Sequence, residues 1–464
     1  MTQARRPHIV IVGAGFAGLE AAKTLGGVQA DVTVIDRQNH HCFQPLLYQV
    51  ASAALSPADV AWPIRSILGR HANISVLMAE VTGIDRAGRL VRSDAGDIPY
   101  DHLILATGTT HSYFGNPEWE GVAPGLKTIE DATEIRRRIL LAFERAEATR
   151  DPVERERLLT FVVIGGGPTG VEMAGAIAEI ARDALPLDFR HVDPRKARVV
   201  LVEAGPRLLA ALPEHLSDYV VGALRAMRVE LMTGQPVTDC DKHGAALGEQ
   251  RIEAATIIWA AGVTASPAAR WLGLEGDKAG RVPVGPDLSL PDAPDIFIIG
   301  DTAAIKDRHG KPVPGLAPAA KQAGAYVGRL LAARIAGRAE PGPFAYRHQG
   351  DLATVGRKAA VVRVGRIELK GLIGWLFWSL VHIHFLVGRR NRWIVGIHWA
   401  WNFITFQRSA RLITRAAATS EEPILVEEPT RQAPQAALEG GETAPLTDTA
   451  QELPFRRRQG QAGG

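Results

Sequence analysis

His8-Ile9-Val10-Ile11-Val12, Gly13-Ala14-Gly15-Phe16-Ala17-Gly18, Leu19-Glu20-Ala21-Ala22 is an apolar run, a glycine string and an alanine-rich stretch in immediate succession. The order predicts a strand, a tight turn and a helix, with a second strand Val32-Thr33-Val34-Ile35 closing on Asp36. In that context the glycines do separate mechanical work. One makes the turn, one lets backbone N–H groups approach a pyrophosphate, and one lets helix and strand pack closely. The acid ending the next strand is placed to accept a hydrogen bond from a ribose hydroxyl.

The same plan recurs 152 positions on (165 − 13) as Phe161-Val162-Val163-Ile164, Gly165-Gly166-Gly167-Pro168-Thr169-Gly170, then Val199-Val200-Leu201-Val202 closing on Glu203. One glycine string alone is a weak signal, because glycine marks any left-handed turn. Two strings, each with a strand before, a helix after and an acid downstream, predict two dinucleotide sites in one chain. The spacing differs: Asp36 follows Gly13 by 23 positions (36 − 13) and Glu203 follows Gly165 by 38 (203 − 165), so residues 181–196 are expected to loop out.

Apolar content of 46% and 22% charged residues fit a globular chain, and 464 residues suffice for two or three domains. A net charge of +3 is too small to point to nucleic acid. Met1 to Pro7 runs directly into a core strand without a cleavable signal, so the bulk of the protein is expected in the cytoplasm. Only Cys42 and Cys240 are present, far apart, which excludes a close-spaced redox pair and a thiolate metal cluster; no metal site is expected.

The repeated plan predicts an α/β fold of two Rossmann-like nucleotide-binding domains: one over 5–120 and 285–340, the other, over 121–284, inserted into it. Residues 127–157 read as a polar, solvated helix. Alternation over 340–370 predicts a short antiparallel sheet. Leu372–Val387 and Trp393–Phe406 contain no Asp, Glu, Lys or Arg, and five of the nine tryptophans fall in this block beside Arg389, Arg390, Arg392, Arg408, Arg411 and Arg415. At 16 and 14 residues these runs are short of the roughly 20 needed to span a bilayer, so residues 341–415 are expected to add membrane-associated helices lying at an anionic lipid surface. Residues 416–464, rich in Ala, Glu, Pro, Thr and Gly, are expected to form a disordered tail.

Taken with Asn39-His40-His41-Cys42-Phe43-Gln44-Pro45-Leu46-Leu47-Tyr48-Gln49-Val50, Ala106-Thr107-Gly108, Ala260-Ala261-Gly262-Val263 and Ile299-Gly300-Asp301, these motifs resemble the type II NADH:quinone dehydrogenases, non-pumping, monotopic membrane flavoenzymes. The likeness covers residues 7–415. It implies FAD on Gly13, Gly15, Gly18 and Asp36, with Thr107, Gly108 and Asp301 as further contacts, and NADH on Gly165, Gly167, Gly170, Glu203 and Gly262. Glu203 would repel a 2′-phosphate and favour NADH, a preference that nearby Arg207 would soften. The resemblance also implies Glu172 as a proton relay, in the first turn of its helix. Ala320-Lys321-Gln322 leaves open whether Lys321 faces the flavin with Gln322 on the quinone, and Gln44, Pro45 and Leu46 are implied near flavin or quinone. A quinone in the membrane, a homodimer and a place on the cytoplasmic face of the inner membrane complete what it implies.

The rivals are a soluble NADH-dependent ferredoxin or rubredoxin reductase, which has no use for the block 372–406, and a non-enzymatic flavin-bearing redox sensor. A sulfide:quinone oxidoreductase would need active-site cysteines that two remote ones do not supply.

Overall fold

The computed structural model describes residues 5–405 and 410–414. The expected tail 416–464, and Phe406, Arg408 and Arg415, lie outside the described residues.

The strand His8–Val12 pairs in parallel with Asp31–Asp36 on one side and with His102–Leu105 on the other. Ile74–Met78 extends the sheet beyond the second strand, and Ala293–Ile298 with antiparallel Ser289–Leu290 extends it beyond His102–Leu105. A second sheet repeats the order: Val229–Thr233, Arg198–Glu203, Thr160–Ile164, Thr256–Trp259, all parallel. Each half also carries a three-stranded antiparallel meander, over Val81–Pro99 and Asp239–Glu253, just before the parallel strand His102–Leu105 or Thr256–Trp259.

Both sheets are near-continuous in apolar residues because both faces are covered, in the second sheet by helices on one side and by the Asp239–Glu253 meander on the other, so Ile9, Val10, Ile11 and Phe161, Val162, Val163 are wholly buried. In each sheet the first strand lies between the second and the strand that follows the meander, His102–Leu105 or Thr256–Trp259. The chain leaves it toward opposite sides there, which opens a crevice at the carboxyl ends where a ligand can enter. Thr109–His111 and Val263–Ala265, the two segments that cross between the halves, pair with each other as an antiparallel ribbon.

The helix Ile129–Ala148 corrects the solvated reading of 127–157. Its Ile135, Ile139, Phe143 and Ala146 are buried in the core, and even Arg136 is inside. Polar residues mask this stripe in the sequence because Arg137 and Arg138 pair with Glu134 on the outer face. Residues 181–196 open as a π-helical turn, Ile180–Ala184, before leaving the helix. Asp351–Val355, Ala359–Val364 and Ile367–Lys370 form the antiparallel sheet expected over 340–370. Helices Gly371–Phe385 and Arg389–Thr405 follow. Among the described residues no helix is long and apolar enough to cross a membrane.

Candidate cofactor and electron-transfer site

Both glycine loops have the geometry their sequence demands. Gly13 and Gly165 take φ of +97° and +115°, and a Cβ there would lie 2.5 Å from Ala106 O and 2.6 Å from Ala260 O. A Cβ on Gly18 or Gly170 would meet the carbonyl of Gly13 or Gly165 at 1.8 Å, so helix and loop touch only because side chains are missing. The middle glycines behave differently: a Cβ on Gly15 or Gly167 would meet nothing within 4 Å among the described residues. Space is reserved at the N-termini of helices Phe16–Thr24 and Pro168–Glu179, where free N–H groups and the helix dipole favour a phosphate.

The two acids are also held alike. Asp36 accepts from Ala14 N at 2.6 Å and from Gln38 N at 2.8 Å. Glu203 accepts from Gly166 N and, at 2.6 Å, from Gly205 N. Each carboxylate ties the glycine loop to its own strand end and keeps lone pairs for ribose hydroxyls. Burial raises the Asp36 carboxyl above its usual range, and the two amides pull it back. Arg207 donates to the carbonyls of Leu212 and Ala210, at 2.9 and 3.0 Å, which hold its guanidinium against its own loop.

Gly300 and Asp301 end the strand Ala293–Ile298 and line a cavity with about 760 Å³ of unfilled space, part of it open to solvent. Lys127, Arg281, Thr109 and Ala320 share its wall. No described protein group hydrogen-bonds the Asp301 carboxylate, whose affinity for protons is raised by burial and lowered again by Lys127 and Arg281. An unsatisfied acid in a roomy polar cavity fits the hydroxyl-rich linker of a dinucleotide. Below it Thr107 Oγ1 contacts Ser266 Oγ at 2.5 Å and Thr302 Oγ1 at 3.1 Å, while Thr302 donates to Gly108 O at 2.8 Å. Thr302 adjoins the Gly300-Asp301 motif and was within reach of sequence reasoning; Lys127, Arg281 and Ser266 had no local signal. Gly262, φ +83°, lies against the Phe114 ring in the crossing region.

Glu172 is the fifth residue of its helix, past the first turn, which corrects its expected position and removes the dipole as a reason for its presence. It is 8% exposed, and its one hydrogen bond among the described residues comes from Thr354 N at a long 3.4 Å. Burial pushes its carboxyl up to about 8, so it holds a proton at neutral pH.

Lys321 and Gln322 separate. Lys321 Nζ lies 4.7 Å from the centre of the Phe385 ring. Gln322 is tied to a surface loop: its amide donates to Arg347 O at 2.8 Å and accepts from Arg347 N at 2.9 Å. Gln44–Leu46 forms a single 3₁₀ turn leading into Leu47–Ala51, and Phe43 before it touches both Phe16 and His382 edge-on. Burial lifts both cysteine thiols to about 12, so neither supplies a thiolate at neutral pH. No cluster of metal-ligating side chains is present among the described residues.

Residues 7–324 match the family model of pyridine nucleotide-disulphide oxidoreductases, the class that the two loops and the inserted second sheet define. Two proteins of Mycobacterium tuberculosis, the type II NADH:quinone oxidoreductases Ndh and NdhA, are 44% and 41% identical over 88% and 95% of this chain and 91% and 96% of their own. A type II NADH:quinone oxidoreductase of Staphylococcus haemolyticus is 31% identical over 76% of this chain and 88% of its own. The fold matches that of NDH2 from Plasmodium falciparum, solved in complex with NADH, with TM-score 0.80 at 20% identity over 89% of this chain and all of that one. The chain belongs to the type II NADH:quinone oxidoreductase family.

Proposed function

We infer that this chain oxidises NADH and reduces a quinone through bound FAD, and the observation that carries the reading is the pair of open glycine loops, each closed by an acid, within one such family member. The chemistry supplied by the bound groups is hydride transfer from nicotinamide to flavin and delivery of two electrons to the quinone. The residues' work is to position and to exclude water. In this reading residues 5–120 and 285–340 hold FAD through Gly13, Gly15, Gly18, Asp36, Thr107, Gly108 and Asp301. Residues 121–284 hold NADH through Gly165, Gly167, Gly170, Glu203 and Gly262.

Asp301 takes hydroxyls of the FAD linker, and Lys127 and Arg281 balance its charge. Glu203 favours NADH over NADPH, with Arg207 held against its own loop by the carbonyls of Leu212 and Ala210. Glu172 keeps a proton inside the protein near the nicotinamide loop and is the relay toward the quinone. Lys321 places a cation beside the C-terminal helices and the flavin edge. The soluble reductase reading has no use for the C-terminal block, and the sensor reading has none for a buried proton carrier.

The exposed apolar face supports attachment to a membrane surface, on the cytoplasmic side by family likeness: Leu380, Trp393, Ile397 and Ile404 are each more than 60% exposed, with Arg389 and Arg390 exposed beside them. Helices of 15 and 17 residues reach about 23–26 Å, short of a bilayer core of about 30 Å, which fits lying in the interface. The homodimer rests on family likeness. Purified protein mixed anaerobically with NADH should lose its flavin absorbance and regain it on adding a short-chain quinone; flavin that stays oxidised in NADH would overturn the reading.

A further inference from the structure

Phe114 follows the crossing strand Thr109–His111 and stands in water, 69% exposed, with its backbone at φ +51°, a left-handed conformation that residues with a Cβ rarely adopt. Gly115 after it is left-handed too, at +97°. The neighbours of this ring are fixed. Tyr113 is buried, and its hydroxyl donates to Ala123 O at 3.0 Å, while Ser112 O accepts from Trp259 Nε1 at 2.9 Å. On the other side Tyr113 O accepts from Asn116 N at 3.1 Å and from Asn116 Nδ2 at 3.2 Å, which closes a tight turn. An anchored ring before it and a closed turn after it hold Phe114 outward, so its exposure and its strained backbone are built into the loop.

The strand order shows what passes there. In the second sheet Thr160–Ile164 runs into the glycine loop, with Arg198–Glu203 on one side and Thr256–Trp259 on the other. A dinucleotide whose pyrophosphate rests on that loop and whose adenosine ribose reaches Glu203 sends its other half the opposite way, over the carboxyl end of Thr256–Trp259. That end continues through Ala260, which packs so closely on the loop that a Cβ on Gly165 would lie 2.6 Å from its carbonyl oxygen, to Gly262 and the crossing strand Val263–Ala265. Phe114 stands on Gly262: a Cβ added to that glycine would meet Phe114 Cζ at 2.5 Å and both Cε atoms at 3.2 Å. The contact is made by the tip of the ring, and the Trp259 ring lies 6.1 Å away at 57°, so neither neighbour covers the broad faces of Phe114.

Flat rings attract one another in offset stacks, and nicotinamide is a flat ring. We propose that Phe114 is the stacking surface for the nicotinamide ring of NADH and holds it at the passage between the two halves. The proposal rests on the oxidoreductase reading above and adds a residue that grips the reacting end of the coenzyme.

The test compares NAD⁺ with ADP-ribose, which has the adenosine, the pyrophosphate and the second ribose but no nicotinamide, by calorimetric binding to oxidised, flavin-loaded protein. Phe114→Gly removes the ring and takes the left-handed angle without strain, so the loop keeps its course, and Phe114→Tyr keeps the ring. The dissociation constant of NAD⁺ should rise about threefold to tenfold in Phe114→Gly and stay near its original value in Phe114→Tyr, while ADP-ribose binds all three forms alike. Equal weakening of both ligands would trace the effect to the loop, and unchanged NAD⁺ binding would place the nicotinamide elsewhere; either result overturns the proposal, as does a tyrosine variant as weak as the glycine one. These binding measurements need no turnover, so absent flavin bleaching by NADH in the unaltered protein would overturn the oxidoreductase reading separately.

Discussion

Glu172 and Glu203 are both glutamates on nucleotide-loop elements, and their surroundings give them opposite work. Glu203 accepts two backbone N–H groups and stays available to a sugar. Glu172 has one long hydrogen bond and is buried, so its proton stays on to about pH 8. An acid whose folded value is raised is fully compatible with folding below its unfolded value, 4.5, and loses stability as the pH rises from there toward 8, since the folded state then binds the extra proton. Glu172→Gln should therefore flatten the fall in Tm of the unaltered protein between pH 5 and 8. It should also slow quinone reduction about tenfold to a hundredfold and remove a pH midpoint near 8, while a midpoint that persists would show another group carries the proton. Glu203→Arg should raise the KM for NADH at least about tenfold and improve use of NADPH, by replacing a repulsive charge with an attractive one. Equal preference before and after would show that another residue reads the ribose.

At the scale of elements, the C-terminal helices divide their tryptophans. Trp378 and Trp399 are buried against the protein, while Trp393 and Trp401 are exposed at 76% and 57%. The arginines divide too: Arg392 donates to Leu386 O at 2.9 Å and closes the turn between the helices, whereas Arg389 and Arg390 have no ion pair among the described residues. Arg389→Glu combined with Arg390→Glu should release the protein from anionic vesicles at about 0.15 M salt without lowering Tm, because only the surface charge changes. Full retention in the vesicle pellet would reject the electrostatic part of the attachment. The strand–glycine–helix units were legible because their signals are local: apolar run, glycine spacing and terminal acid all fall within 40 residues. The Gln322 pairing with Arg347, the Glu172–Thr354 contact and the Phe114–Gly262 contact were not legible, since each joins segments brought together only by tertiary packing. The buried stripe of Ile129–Ala148 was missed because its surface ion pairs dominate the composition.

For the molecule as a whole, ligand binding and stability are linked. FAD held by a glycine loop, Asp36 and Asp301 binds only the folded chain, so excess FAD should raise the Tm of stripped protein, by about 2.7 kcal/mol of stabilisation at a hundred times the dissociation constant. Gly15→Val should leave the stripped protein's Tm near its original value, because no described atom lies within 4 Å of the added Cβ, and should abolish the rise with FAD. A rise of equal size in that variant would place the pyrophosphate elsewhere.

The ribbon of Thr109–His111 with Val263–Ala265 gives this architecture a mechanical axis. Both covalent crossings between the halves run side by side and are stitched by main-chain hydrogen bonds, so neither can shift without the other. Gly108 and Gly262, at φ of +67° and +83°, sit at the ends of those two strands like pivots. With no Cβ to oppose a change of backbone angle at either glycine, these are the positions at which the connections into the ribbon resist bending least.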